Sequence, residues 1–165
     1  MPATYEPIAT TTLGSAASNI TFSSIAATYT DLRIVITGTC SASEYVSLQF
    51  NADTGSNYSR TALFGDGSTV TSNQTTGGTY IRDDALFTNN TNVAMTTVDL
   101  FSYAGSTFKT VLLTGSGDKN GSGITSRIVG LWRSTSAITS IKLFGTFGAN
   151  FNTGTTATLY GIKNA

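Results

Sequence analysis

Apolar and polar residues alternate with a period of two along most of the chain. In residues 44–50 (EYVSLQF), Val46, Leu48 and Phe50 fall on one face and the intervening residues on the other. This is the spacing of side chains along a β-strand, whereas no segment carries apolar residues at helical spacing between a cap and a stop. We predict further strands at residues 20–25, 32–37, 58–64, 79–82, 93–101, 108–113, 127–132, 138–144 and 157–162.

The arrangement of these segments predicts an all-β fold. Nine or ten short strands in one domain are typical of a two-sheet antiparallel sandwich. We favour a jelly roll and leave an immunoglobulin-like sandwich open, since strand order cannot be read from the sequence. Residues 108–113 and 127–132 are apolar on both sides, which predicts central strands covered on both faces.

Turn residues and prolines mark the ends of these elements. The pairs Asp66-Gly67 and Asn120-Gly121 supply the positive φ that tight hairpins need. Pro7 lies near the start of the chain, where it cannot donate to a strand ladder. We therefore expect residues 1–12 to form an extended N-terminal arm or an edge strand, and residues 13–165 to form one β-sandwich domain.

The composition excludes several classes of function. Charged residues make up 11% of the chain, against about 25% in average globular domains, and nine basic residues balance nine acidic ones. The absence of net charge excludes a nucleic-acid binder that relies on a basic field. There is no histidine and a single cysteine, so neither the usual general base nor a cysteine metal cluster is available. Ser and Thr make up about 30% of the residues. A neutral, hydroxyl-rich surface of this kind suits a chain that packs against stable protein neighbours.

Residue types that are catalytic or bind ligands in other proteins have structural interpretations in this sequence. Cys40 has no His, Lys or Arg beside it, so we interpret it as a small half-buried residue rather than a nucleophile. Four of the nine carboxylates lie beside turn signals, namely Asp31, Asp53, Asp66 and Asp118. Asp83 and Asp84 are adjacent, which on a regular strand points them to opposite faces. Residues 115–123 (GSGDKNGSG) lack the ligand spacing of a calcium loop and the helix of a phosphate loop, so we predict a mobile hairpin loop. We expect no enzyme activity and no cofactor, while a weakly held structural cation at these places stays open.

Aromatic residues supply the remaining candidates. Four phenylalanines fall on apolar alternation and are expected in the core: Phe22, Phe50, Phe101 and Phe108. Trp132 is expected in the core or at a subunit interface. A sandwich that binds sugars presents aromatic faces, and three tyrosines are candidates for that role: Tyr58, Tyr80 and Tyr103.

Three segments resemble a known group of proteins: residues 5–13 (YEPIATTTL), 129–143 (VGLWRSTSAITSIKL) and 158–163 (TLYGIK). They are similar to small Thr/Ser/Gly-rich virion structural proteins of tailed bacteriophages. The resemblance covers most of the chain and implies a particle component with no catalytic residues. Its motifs are packing and turn signatures, so it does not distinguish capsid, neck and tail.

We therefore expect a capsid decoration, or cement, protein that stabilises the assembled phage head by bridging major capsid subunits. The expected partners are the major capsid protein and two further copies in a homotrimer, with no nucleic acid and no membrane. The expected interface residues are Tyr5, Pro7, Ile8 and Trp132. The alternative is a tail, neck or fibre module that adsorbs to host polysaccharide, for which a glycan is the partner. The start of the chain has neither a basic segment nor an apolar run, so we expect no signal peptide and a place in the virion after assembly in the host cytoplasm.

Overall fold

Alternating burial along the chain builds a fold made of strands. The computed structural model describes residues 4–87, 92–118 and 121–163, and within them there are twelve strands and no helix. In chain order they are β1 (Tyr5–Thr12), β2 (Asn19–Phe22), β3 (Asp31–Gly38), β4 (Glu44–Phe50), β5 (Tyr58–Gly65), β6 (Val70–Gly78), β7 (Ile81–Phe87), β8 (Ala94–Phe101), β9 (Lys109–Asp118), β10 (Gly123–Trp132), β11 (Ile141–Gly145) and β12 (Thr156–Ile162).

The strands form two antiparallel sheets. The larger has eight strands in the order β1-β12-β3-β8-β9-β10-β5-β6, and the smaller has four in the order β2-β11-β4-β7. The two-sheet antiparallel sandwich expected from the sequence is confirmed. The jelly roll is not confirmed, because the sheets are unequal and β8, β9 and β10 are consecutive neighbours in one sheet.

The core lies between the two sheets. Strands β3, β10 and β12 alternate between buried and more exposed positions, and each contributes buried side chains such as Ile34, Ile128 and Leu159 to one apolar cluster. The expectation that residues 108–113 and 127–132 are covered on both faces is wrong. Phe108 is 52% exposed and Val129 is 53% exposed, so one side of each segment faces outward.

Two glycines of the large sheet allow β7 of the small sheet to approach closely. A Cβ at Gly130 of β10 would lie 2.8 Å from side-chain carbons of Ile81, and a Cβ at Gly115 of β9 would lie 2.2 Å from a carboxylate oxygen of Asp83. These distances are far below van der Waals contact, so only glycine permits this packing. Strand β7 therefore lies directly against the inner face of the large sheet.

The large sheet has two different edges. Strand β1 pairs with β12 from Tyr5 to Thr12, so the described part of the N-terminal segment is an edge strand of the chain's own sheet; residues 1–3 lie outside the described residues. Strand β6 forms a hairpin with β5 through the Asp66-Gly67 turn, where Gly67 has φ of +90°. Its side chains are mostly exposed, so β6 extends beyond the cover of the small sheet.

Candidate functional site

The outward face of the large sheet carries an apolar patch. Val129 of β10 lies directly opposite Leu112 of β9 and Thr61 of β5. Leu63 and Phe101 on the same face are 52% and 45% exposed. We call the following set the outer apolar patch: Leu63, Phe101, Leu112, Val129 and Leu131. Grouped exposed apolar side chains of this kind make the outer apolar patch a candidate interaction surface.

The charged side chains near the outer apolar patch are one ion pair and Arg127, which is exposed and lies directly opposite Leu63. Arg33 and Asp99 on the same face form an ion pair at 2.5 Å and cancel each other. Two shallow depressions of about 290 and 130 Å³ border the patch, the larger at Leu63 and Val70 and the smaller at Val129. The patch therefore combines apolar area and two depressions with one positive charge, that of Arg127, beside Leu63.

The outward side of the small sheet carries four aromatic side chains in two edge-to-face pairs. We call them the aromatic cluster: Tyr45 with Phe147 at 5.7 Å and Tyr80 with Phe144 at 5.8 Å. Each pair also carries a cation, because Arg82 lies 4.7 Å from the Tyr45 ring centre and Lys142 lies 5.1 Å from that of Phe144. The aromatic cluster thus differs from the outer apolar patch, which has one aromatic member, Phe101, among four aliphatic side chains.

A buried carboxylate fixes one member of the aromatic cluster. Glu44 is fully buried and accepts hydrogen bonds from the backbone N–H groups of Phe147 and Ala149. This holds the turn after β11, whereas the side chain of Phe147 itself is 69% exposed. The buried Glu44 carboxylate therefore fixes the backbone from which the exposed Phe147 side chain projects.

A pocket of about 290 Å³ opens beside the aromatic cluster. We call it the arginine pocket, and its lining residues are Arg60, Thr75, Gly77, Gly78, Thr79, Tyr80 and Arg82. Arg60 donates from Nη1 to Oδ2 of Asp84 at 2.5 Å, and Arg82 donates from Nε and Nη2 to Oδ1 of the same carboxylate at 3.0 and 2.9 Å. Two guanidinium groups share one carboxylate, which leaves one positive charge in excess.

The neighbouring acid, Asp83, lies in the core between the sheets. Its carboxylate accepts hydrogen bonds from Ser126, from Thr96 and from the backbone of Ala85. Burial raises the pKa of the Asp83 carboxyl above its ordinary value, and the charge of Asp84 acts in the same direction, while these hydrogen bonds oppose the shift. Residues 83–85 form a bulge opposite Val46, so the strand is not regular at Asp83 and Asp84, and both side chains are buried.

The other candidates for chemistry have structural partners. Asp53 accepts from Asn57 and from the ring nitrogen of Trp132, and Asp66 accepts from the backbone of its own turn. Cys40 is fully rather than half buried, and burial raises the pKa of its thiol to about 12. Within residues 4–87, 92–118 and 121–163, no group of three or more acidic or Cys side chains could hold a metal ion.

The predicted interface residues do not form one surface. Tyr5 is 42% exposed and its ring contacts Tyr160 at 5.4 Å; Pro7 is also exposed, whereas Ile8 packs against the core. Trp132 is 2% exposed and packs against Phe50 and Tyr58 inside the chain, so it offers no surface to a partner.

Two sugar-binding candidates are also core residues. Tyr58 and Tyr103 are fully buried, and only Tyr80 of the three tyrosines reaches the surface. The predicted hairpin loop at 115–123 is mostly strand, in β9 and β10, and its residues 119–120 lie outside the described residues. The sequence missed the outer apolar patch, the aromatic cluster and the arginine pocket; the exposed alternate positions of 127–132 were the available signal for the first.

Comparison with known proteins adds no relative. No family model, curated protein or solved structure matches the chain. In the part of the chain that the structure describes, no helix is long and apolar enough to cross a membrane.

Proposed function

We propose that this chain is a structural component of a tailed-phage virion, a capsid decoration protein that binds the assembled head through the outer apolar patch. The observation that carries the proposal is an exposed apolar surface on a chain with no net charge and 11% charged residues. Such a surface favours burial against another protein. The resemblance of residues 5–13, 129–143 and 158–163 to virion structural proteins points to the same class of partner.

The mechanism is stabilisation by mass action. A protein that binds only the assembled shell shifts the equilibrium away from disassembly. Covering a half-exposed side chain such as Val129 or Leu63 contributes on the order of 1 kcal/mol, so one copy of the patch binds weakly. A homotrimer engages three capsid subunits at once, and linking the three contacts raises the overall affinity above that of one contact. The role is structural rather than catalytic, and the hydrogen bonds that Asp53, Asp66 and Asp83 accept from neighbouring groups of the chain support this.

The test is binding to particles that lack the protein, from the phage that encodes it. We expect sedimentation of the purified chain with such particles and a higher temperature of head disruption. Val129→Ser should reduce occupancy, since it removes apolar area from the patch. The matched control is Phe147→Ser, an exposed apolar residue of the other sheet, which should bind normally. Equal occupancy for Val129→Ser and the unaltered chain would contradict the proposal, and light scattering at a mass other than three times 17.2 kDa would contradict the trimer.

A second candidate function is adsorption to host polysaccharide by a tail, neck or fibre domain. The aromatic cluster favours it, because aromatic rings beside polar groups are common in sugar sites. The position of the chain in an intact particle separates the two candidates: a place on the capsid exterior supports decoration, and a place on a fibre supports adsorption.

A further inference from the structure

The arginine pocket has the charge and the donors of a site for an anion. Arg60 is only 7% exposed, yet it lines an open pocket. Its Nη1 is bonded to Asp84, and among the described residues no other acceptor engages its guanidinium. Arg82 uses Nε and Nη2 on the same carboxylate, which leaves Nη1. An anion in the pocket would meet unused N–H groups and an excess of one positive charge.

The rest of the lining suits a ring that bears hydroxyl groups. Tyr80 contributes an aromatic side chain that Phe144 holds in place at 5.8 Å. Thr75 and Thr79 contribute hydroxyl groups that both donate and accept. The volume of about 290 Å³ lies at the lower end of the range for small-molecule sites and matches one small ring rather than a long chain.

The wall of the pocket is kept open by glycines. Gly77 has φ of +67°, a conformation that other residues adopt at a cost, and the adjacent Gly78 also lines the pocket. No side chain from these two positions takes up space in the pocket. The lining of the pocket thus combines two arginines, one tyrosine, two threonines and two glycines.

We propose that the arginine pocket binds an acidic sugar residue, with its carboxylate on Arg82 and Arg60 and its ring beside Tyr80. A neutral sugar lacks the group that the guanidinium pair recognises, and a small inorganic anion lacks the ring that Tyr80 and the threonines contact. The affinity for a uronic acid, a sugar that bears a carboxylate, should therefore exceed both the affinity for a neutral sugar and the affinity for a small anion. The inference does not rest on the capsid role, because a head protein and a fibre protein can both present such a pocket.

The experiment is calorimetric titration of the full chain at constant ionic strength with four probes: glucuronate, glucose, acetate and sulfate. We expect saturable binding of glucuronate, no binding of glucose, and binding of acetate and sulfate at least about tenfold weaker. Equal affinity for sulfate or acetate would show a site for any anion and overturn the sugar. Equal affinity for glucose, or no binding of glucuronate, would overturn the proposal as a whole.

Two variants locate the site. Arg82→Gln should weaken glucuronate binding at least about tenfold, and Asp84 keeps Arg60 as its partner in this variant. Arg127→Gln is the matched control, an exposed arginine on the opposite sheet, and should bind normally. Loss of near-ultraviolet circular dichroism in Arg82→Gln would show that this variant is not folded. The Tyr80→Leu variant is then tested in its place and should also weaken glucuronate binding. Unchanged affinity in a folded Arg82→Gln or Tyr80→Leu variant would overturn the assignment.

Discussion

Gly115 of β9 leaves open the space that the carboxylate of Asp83 occupies in the core. A Cβ at Gly115 would lie 2.2 Å from Oδ2 of Asp83 and 2.4 Å from the Cβ of Ala85. The absence of a side chain on one sheet thus admits a buried acid from the other. Neither residue indicates this relationship in the sequence, since Gly115 lies in a segment with the composition of a loop.

Gly115→Ala is therefore expected to destabilise the fold. The added methyl group collides with a hydrogen-bonded carboxylate that cannot move freely, and overpacking of this kind costs about 1–3 kcal/mol. Urea denaturation followed by circular dichroism measures the change. The matched control is Gly123→Ala on β10, where the nearest atom would be 3.9 Å away. Similar free energies of unfolding for the two variants would contradict the packing argument.

The buried state of Asp83 predicts a pH dependence of stability. Because its pKa is raised above 3.8 in the folded chain, the folded state holds more protons than the unfolded state between 3.8 and the raised value. The contribution of Asp83 to the free energy of unfolding therefore falls as the pH rises through this window. Asp83→Asn removes that decline, because the amide does not titrate.

The measurement for Asp83 is a comparison of two pH values. Asp53 and Asp66 have lowered pKa values and act in the opposite direction, so the quantity of interest is the difference between variant and unaltered chain. We expect Asp83→Asn to gain stability relative to the unaltered chain between pH 4 and pH 7. A difference that stays constant over this range would show that Asp83 does not titrate there.

The sequence identified the elements whose side chains alternate regularly. Residues 44–50 form β4 as expected, because Val46, Leu48 and Phe50 lie on one face of that strand and are buried. Strand β6 was missed because its sequence VTSNQTTGG is exposed on both faces and has no alternation to detect. We predicted that both faces of residues 127–132 are covered, because the sequence alone does not distinguish an outward-facing Val or Leu from a core residue.

The buried polar groups could not be predicted, since each depends on distant partners. Lys109 is fully buried because its Nζ donates to the carbonyl oxygens of Gly105 and Thr107 in the preceding turn. Asp84 is buried because Arg60, 24 residues away in the sequence, meets it from the other sheet. The arginine pocket and the buried acids depend on this contact between the two sheets. Interpreting the sequence one strand at a time gives no information about which residues of the two sheets meet.

Cys40 should be unreactive in the folded chain. It is fully buried and its thiol has a pKa of about 12, so very little thiolate is present at pH 8 and reagent cannot reach it. Ellman's reagent should label less than one tenth of the protein under native conditions within minutes, and all of it in denaturant. Rapid native labelling would contradict the packing of Cys40 in the core.

Trp132 is the single tryptophan, and its fluorescence should report the protonation of Asp53. Its Nε1 donates to Oδ2 of Asp53 at 2.7 Å, and this bond lowers the pKa of that carboxyl below 3.8. We expect a change in emission with a midpoint below pH 3.8, at acidities where far-ultraviolet dichroism shows the chain still folded. Asp53→Asn is the control and should abolish the transition. The same transition in Asp53→Asn would assign it to another group.

The two edges of the large sheet differ in their protection against pairing. Strand β1 carries Pro7 and a bulge, and Glu6 on it pairs with Lys163 at 3.2 Å. Proline, bulges and charges are the features that prevent an edge strand from pairing with another chain. The nine-residue strand β6 has no proline and no charged residue. Oδ1 of Asn73 on this strand is also buried without a hydrogen-bond partner, the one such side-chain atom among the described residues.

Copies of the chain are therefore expected to associate through β6 rather than β1. Gln74→Lys places a charge in the middle of β6, where pairing with a second chain would bury it, so self-association should weaken about tenfold or more. Thr10→Lys makes the same change at an exposed position of β1 and should leave association as it is. Sedimentation velocity over a range of concentrations measures both variants. Association of Gln74→Lys at the strength of the unaltered chain would place the contact between copies away from β6.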